Sequence, residues 1–207
     1  MRPLTDATPK PLLEVGGRPL VVWLIEGLAR AGFKDLVMNV SHLAPRIETA
    51  LGDGRRYGVR IEYSREAEAL ETAGGIAYAL PLLGNAPFAV VNGDIHTDFD
   101  FAKLREPNVA LAHLVLVDTP PHHPGGDFAL AGGRLANDGA VRYTFSGIGI
   151  YHPALFSGIV AGARCQLAAV LRPQIEAGRV SGEHFRGRWT DVGTPERLAA
   201  LDRALQT

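Results

Sequence analysis

Cysteine occurs once in this chain, at Cys165. Neither an internal disulfide framework nor a cysteine-built zinc site is therefore available, and such usage fits a reducing cytoplasm. Lysine is nearly as scarce, with Lys10, Lys34 and Lys103 the only three among 21 Lys and Arg residues. Any anion clamp in the second half of the chain must consequently be arginine. No apolar run approaches the roughly 18 residues of a membrane span, and the first residues carry no signal-peptide core. A net charge of −1 provides no bulk attraction to nucleic acid or to an anionic membrane. The chain also lacks G-x-G-x-x-G, which argues against a dinucleotide-dependent oxidoreductase.

What is present is an ordinary globular share of hydrophobic residues, 46%, over a length that suits one domain. No repeat or low-complexity linker interrupts residues 1–207, so a single domain is expected. Turn signals punctuate alternating strand-like and helix-like runs. Gly16-Gly17 marks a turn, and Leu20, Trp23, Leu24, Leu28 and Ala31 recur at helical spacing up to Gly32. Leu36–Val40 reads as a strand, Ala44–Leu51 as a helix closed by Gly52, and Val59, Ile61 and Tyr63 alternate as in a half-buried strand. Strand, helix and strand with short connections predict an α/β fold, Rossmann-like, with a mixed, mostly parallel sheet and helices on both faces.

Four stretches carry chemistry. Pro3, Pro9 and Pro11 stiffen the opening segment, and Lys10 sits between two of them. An extended path is expected there, with Lys10 either a solvated terminal lysine or, because Leu12, Leu13 and Val15 anchor the segment, a phosphate ligand. The run Phe88–Val91 predicts a buried strand that breaks at Asn92-Gly93 and delivers Asp94 past its carboxyl end. A carboxylate there suits a divalent cation and equally suits the cap of a turn. In the loop expected over Glu68–Gly75, Gly74-Gly75 opens a helix predicted from Ile76. Such a start serves the turn, or exposes N–H groups to a ligand. Thr194-Pro195-Glu196 is a helix entry directly after Asp191.

The remaining polar features read as scaffold. His113 lies in the strand expected over Val109–Val117 and suits a packed core, while His122-His123 sits in the proline-glycine loop Asp118–Asp127 and suits solvent better than a metal. Phe128–Arg142 reads as antiparallel hairpin, Tyr143–Tyr151 as a strand broken by Gly147 and Gly149 where a ligand's backbone approach has room, and Leu167–Ala177 as an amphipathic helix.

Taken together, PLTDATPKPLLEVGGRPL, LETAGG, VVNGD, FSGIGIYHP and WTDVGTPERL resemble, over essentially the whole chain, the sugar-1-phosphate nucleotidyltransferase family. The similarity is greatest to its branch that transfers uridylyl groups to N-acetylmuramate 1-phosphate in cell-wall recycling. The resemblance implies a nucleoside triphosphate (UTP) and a sugar 1-phosphate as substrates and Mg²⁺ as cofactor. It implies that Asp94 and Asp191 hold the metal and that Lys10 contacts phosphate. It further implies that Glu71, Thr72, Gly74 and Gly75 face the nucleotide, that Ser146, Gly147, Glu183 and Arg186 face the sugar, and that Asn92 binds substrate. Where the family often carries a lysine for the sugar phosphate, Arg186 or else Arg142 must stand in. Guanylyl or thymidylyl transfer, and a catalytically silent regulatory relative, are the alternatives. Members of the family carry a hydrophobic strand and a loop L-x-A-G-x-G-x-R-M ahead of R-P-L-T. Residues 1–207 are therefore expected to lack that first strand and phosphate loop.

Overall fold

Short strands outnumber helices in the computed structural model, which describes residues 1, 3–105 and 109–206. Arg2 of the opening R-P-L-T run lies outside the described residues. In chain order the helices are α1 (Leu4–Ala7), α2 (Leu20–Arg30), α3 (Ala44–Leu51), α4 (Glu71–Leu83), α5 (Leu167–Glu176) and α6 (Pro195–Gln206). The first strands are β1 (Glu14–Val15), β2 (Arg18–Pro19), β3 (Asp35–Val40), β4 (Arg60–Arg65), β5 (Phe88–Val91) and β6 (Ile95–Thr97). They are followed by β7 (Ala112–Val117), β8 (Phe128–Ala131), β9 (Arg134–Ala136), β10 (Arg142–Tyr151), β11 (Val180–His184) and β12 (Trp189–Asp191). No helix among the described residues is long and apolar enough to cross a membrane.

The chain groups into two compact units, one of Met1–Glu68, Asn92–Lys103 and Arg188–Thr207, the other of Ala69–Val91 and Leu104–Gly187. Each unit is assembled from separated stretches, so no linker composition marks the division in the sequence.

In the first unit, β1 and β2 form a hairpin whose two turn residues, Gly16 and Gly17, have φ of 58° and 74°. Only glycine adopts that pair of left-handed conformations at little cost, and the twist suits a two-residue hairpin. Pro19 precedes α2, and Gly32 (φ 92°) ends it, with Phe33 N–H donating to the Leu28 carbonyl at 3.0 Å. β3 and β4 pair in parallel from Asp35↔Arg60 to Val40↔Arg65, and α3 lies in the connection between them. Val21, Val22 and Ile25 of α2 pack with Val40, Ile47, Leu51, Val59 and Ile61. A second cluster joins Val15, Leu20 and Val192 to Leu198, Leu201 and Leu205 of α6. β6 and β12 pair antiparallel, Thr190 opposite His96 and Asp191 opposite Ile95.

The second unit holds a six-stranded sheet of order β5-β10-β7-β11-β9-β8, and β8 also pairs with the start of β10. Its core includes Ala73, Ile76 and Ala77 of α4, Leu167, Leu171 and Ile175 of α5, and Leu114, Leu116 and Tyr151 of the sheet. The Tyr151 phenol is fully buried, and burial pushes its pKa up.

The α/β class holds, but the sheet is mixed rather than mostly parallel. Within the six strands only β7 and β11 pair in parallel. Connection length accounts for one of these pairs: β8 and β9 are joined by the short Gly132-Gly133 turn, and a parallel pairing needs a crossover that such a turn cannot span. β5 is correspondingly neither fully buried nor paired in parallel. Among the described residues it ends the sheet order, pairs antiparallel with β10 and is half-buried throughout. The opening segment also differs from an extended path. Leu4–Ala7 makes one helical turn and Lys10–Leu12 a 3-10 turn, because the φ that proline imposes at Pro11 suits a turn as well as an extended chain.

His96 and His113 are each held below the usual pKa of 6.5, chiefly by burial. At His96 the Arg188 guanidinium lowers it further and Asp98 opposes, and at His113 Glu183 opposes. As pH falls below 6.5 the unfolded chain protonates these rings first, so the unfolded state gains and stability drops until the folded pKa values are passed. The expected outcome is a Tm that decreases between about pH 7.5 and about pH 5.5 by calorimetry, with a smaller decrease in His113→Asn. Parallel curves for wild type and variant would show that His113 carries no part of the linkage.

Candidate active site

Lys10, Asn92, Asp94 and Asp191 all belong to the first unit. The Lys10 residue opens its 3-10 turn beside Leu12 and Leu13, and Nζ donates to Asp94 Oδ2 at 2.5 Å. Asp94 follows the Asn92-Gly93 break and precedes β6, and Pro11 packs 3.7 Å from the position a Gly93 Cβ would take. Val192 N–H donates to the Asp94 carbonyl at 2.8 Å, which continues the β6–β12 ladder by one bond. That bond sets Asp94 beside Val192, the residue after Asp191, although 97 positions separate residues 94 and 191.

Asp191 has its own cation. Arg197 Nη1 donates to Oδ1 at 2.5 Å and to Oδ2 at 2.6 Å. The side chains of the two pairs are 25–36% exposed. Ion pairs of such exposure contribute about 1 kcal/mol or less to stability, so charge balance rather than folding energy is the physical role they suit. Arg197 was not among the residues expected from the sequence. Its position three residues past the Thr194 helix cap was the available signal, since a side chain there projects back toward the strand end.

Asp94, just ahead of β6, and Asp191, at the end of β12, suit a hard divalent cation that takes its other ligands from water and phosphate, the usual habit of Mg²⁺. Among the described residues no group of three or more acidic, histidine or cysteine side chains is placed to hold a metal.

The other expected site residues belong to the second unit, and several are occupied by the fold. Gly74 and Gly75 lie inside α4, not in a loop ahead of it, since the helix begins at Glu71. Ala73 and Gly74 N–H both donate to the Cys165 carbonyl at 3.1 Å, so these helix-start donors are already engaged. A Cβ at Gly74 would run into the Ala163 carbonyl oxygen. Gly74 is thus bare because backbone passes against it. Glu71 sits at φ 61° and pairs with Arg164 at 2.7 Å, while Thr72 is exposed.

Ser146 is 1% exposed; its Oγ donates to the Val115 carbonyl at 2.7 Å and accepts from Ile148 N–H at 3.2 Å. It stabilises the β10 bulge, where Gly147 has φ 81°. The room expected at Gly149 is filled by the Tyr151 hydroxyl and the His113 carbonyl, 2.9 and 3.0 Å from a Cβ placed there. Glu183 is half-buried, 3.9 Å from His113 Nε2, and the His113 ring bonds Ser181 Oγ at 2.9 Å. Arg186 is exposed, its Nε 3.4 Å from His184 Nδ1. Arg142 instead reaches the Asp127 carbonyl at 2.8 Å and Asp138 at 3.4 Å. His123 pairs with Asp127 at 3.2 Å.

The family profile described as Nucleotidyl transferase matches residues 1–131. The N-acetylmuramate alpha-1-phosphate uridylyltransferase of Neisseria meningitidis serogroup B is 53% identical, across 96% of this chain and 90% of that protein. A mannose-1-phosphate guanyltransferase of Aspergillus fumigatus is 43% identical over 109 residues, 51% of this chain; the match spans only 30% of that longer relative. Among solved structures, HddC from Yersinia pseudotuberculosis complexed with GMP-PN superposes with a TM-score of 0.81. At 18% identity, covering 99% of this chain and 93% of that one, it supports the fold alone.

The packing at Gly74 yields a test that separates scaffold from ligand contact. Gly74→Ala drives a methyl into the Ala163 carbonyl, and overpacking of this kind costs about 1–3 kcal/mol. Urea unfolding should show that loss without any ligand present. An unchanged midpoint would return Gly74 to a purely ligand-facing role.

Proposed function

Because the chain belongs to the nucleotidyl transferase family, we propose that it transfers the uridylyl group of UTP to a sugar 1-phosphate, N-acetylmuramate 1-phosphate, and releases pyrophosphate. The observation that carries this reading is the 53% identity to a uridylyltransferase of that specificity along nearly the whole of both chains. The pairing of Lys10 with Asp94, whose carbonyl accepts from Val192 N–H next to Asp191, supports the chemistry.

An oxygen of the sugar 1-phosphate forms a bond to the α-phosphorus of UTP. The bond from that phosphorus to the bridging oxygen of the β-phosphate breaks, and pyrophosphate leaves with the electron pair. Such transfers depend on alignment and charge neutralisation more than on covalent help from the protein. Lys10 supplies a positive charge beside the Asp94 carboxylate and neutralises phosphate charge as it develops. Asp94 and Asp191 would hold Mg²⁺, which when bound neutralises and orients the reacting phosphates. Glu71, Thr72, Gly74, Gly75 and Asn92 are assigned to the nucleotide. Ser146 and Gly147 shape the strand on the sugar side, where Glu183 meets hydroxyls and Arg186 meets an anionic group. Arg186 suits the lactyl carboxylate of a muramyl sugar, because a guanidinium fork matches a carboxylate in two hydrogen bonds. Arg142, committed to main-chain carbonyls, is not assigned to the sugar.

Asp94→Asn and Asp191→Asn are each expected to lower magnesium-dependent pyrophosphate release by at least about a hundredfold, the scale of losing a group that holds transition-state charge. Near-normal turnover in either variant would remove it from the metal site. In the same assay UTP should exceed GTP, dTTP and ATP, and a preference for GTP would move the chain to the guanylyl branch.

Arg186→Ala is expected to raise KM for the sugar phosphate at least about tenfold while leaving that for UTP within about twofold, as loss of a charge-assisted pair would do. Equal losses for both substrates would mark Arg186 as structural.

A further inference from the structure

Arg197 occupies an awkward place for a cation. It lies in the first turn of α6, where the helix dipole favours negative charge and where Glu196 already supplies it. Its backbone N–H is the one capped by Thr194 Oγ, at 3.3 Å. The side chain turns back along the helix entry and sets Nη1 against both oxygens of Asp191, at 2.5 and 2.6 Å. In this placement the guanidinium lies over a bare residue 193: a Cβ on Gly193 would collide with Nη2 and stand 2.8 Å from Cζ, so the arginine would have to shift. Gly193 is not in the left-handed region, so its bareness serves the guanidinium rather than a turn. Sequence and packing therefore converge on keeping one positive charge against this carboxylate.

We propose that Arg197 is a positioning residue that holds Asp191 as an ion pair and surrenders it to the divalent cation, so that metal binding at this carboxylate is an exchange of one positive partner for another. The inference rests on the reading of Asp94 and Asp191 as cation ligands. A guanidinium touching both carboxylate oxygens repels a doubly charged ion at the same oxygens, and the repulsion is strong at contact distance in a partly desolvated site. The pair also keeps Asp191 oriented and compensated until the cation arrives. On Asp94 the equivalent partner is Lys10, a flexible single-headed ammonium. Arg197 is instead confined over Gly193, which gives the Asp191 half of the site the higher threshold.

The test is titration of the whole chain with Mn²⁺ alone, reading free Mn²⁺ by electron paramagnetic resonance and heat by calorimetry. Arg197→Gln keeps hydrogen-bond donors but removes the charge, and should bind Mn²⁺ about tenfold more tightly than wild type, about 1.4 kcal/mol. Arg197→Lys restores the charge and should return the affinity to within about threefold of wild type, a restoration that loss of packing alone would not produce. Gly193→Ala evicts the guanidinium and should reproduce the tightening with the arginine still present. Adding Asp191→Asn to Arg197→Gln should abolish the gain. Mn²⁺ binding by Arg197→Gln equal to or weaker than that of wild type would overturn the proposal, whatever the melting temperature of the variant. The cation reading stands or falls separately, on magnesium-dependent turnover of the Asp94→Asn and Asp191→Asn variants.

Discussion

Carboxylates brought near one another favour counter-charge, and both candidate acids of the first unit have it. The β6–β12 ladder sets Asp191 opposite Ile95, and the bond from Val192 N–H to the Asp94 carbonyl holds Asp94 just beyond it. Each then draws a cation from a different element, Lys10 from the proline-stiffened opening segment and Arg197 from the first turn of α6. The apolar contacts around them hold those elements in reach. Leu198, Leu201 and Leu205 fasten α6 to Val15, Leu20 and Val192, while Gly16 N–H donates to Asp202 at 2.8 Å from the β1–β2 turn. Hydrophobic burial fixes the backbone, and electrostatics decides which side chains face one another across it.

In the second unit the same division of labour appears with glycine in place of charge. Gly74 is bare because the Ala163–Cys165 backbone passes against α4, Gly147 because the β10 bulge needs a positive φ, and Gly149 because Tyr151 and the His113 carbonyl crowd it. A Cβ at Gly182 would likewise run into Leu135. Each of these glycines lies in a motif that resembles a ligand site, and each has a packing reason of its own. Motif and packing are compatible, since a strand bulge or a tight helix–loop contact is also what aims neighbouring side chains such as Thr72 and Glu183.

Much of this was legible in the chain itself. The period of the apolar residues located α2, α3, α5, β3 and β4 closely, because these elements are long enough for a repeat to register and are bounded by Gly32, Gly52 and Pro19. Asp94 and Asp191 stood out as acids at a strand end and ahead of a helix, and the resemblance over five ordered motifs named the family. Strand pairing was not legible. Which strands lie side by side, and in which direction, depends on contacts between residues far apart in sequence, so an apolar run at Phe88–Val91 that suits a buried strand of a mostly parallel sheet is equally satisfied by antiparallel pairing with β10. The partners of the two carboxylates were hidden for the same reason. The sequence by itself determined the α/β class and the family, and singled out Asp94 and Asp191 as candidate acids, since each is written in local pattern and residue type. Only the tertiary structure decided that Lys10 and Arg197 neutralise those acids and that Gly74 and Ser146 are held by the scaffold, because these roles are distances between chain segments, and no local pattern encodes a distance.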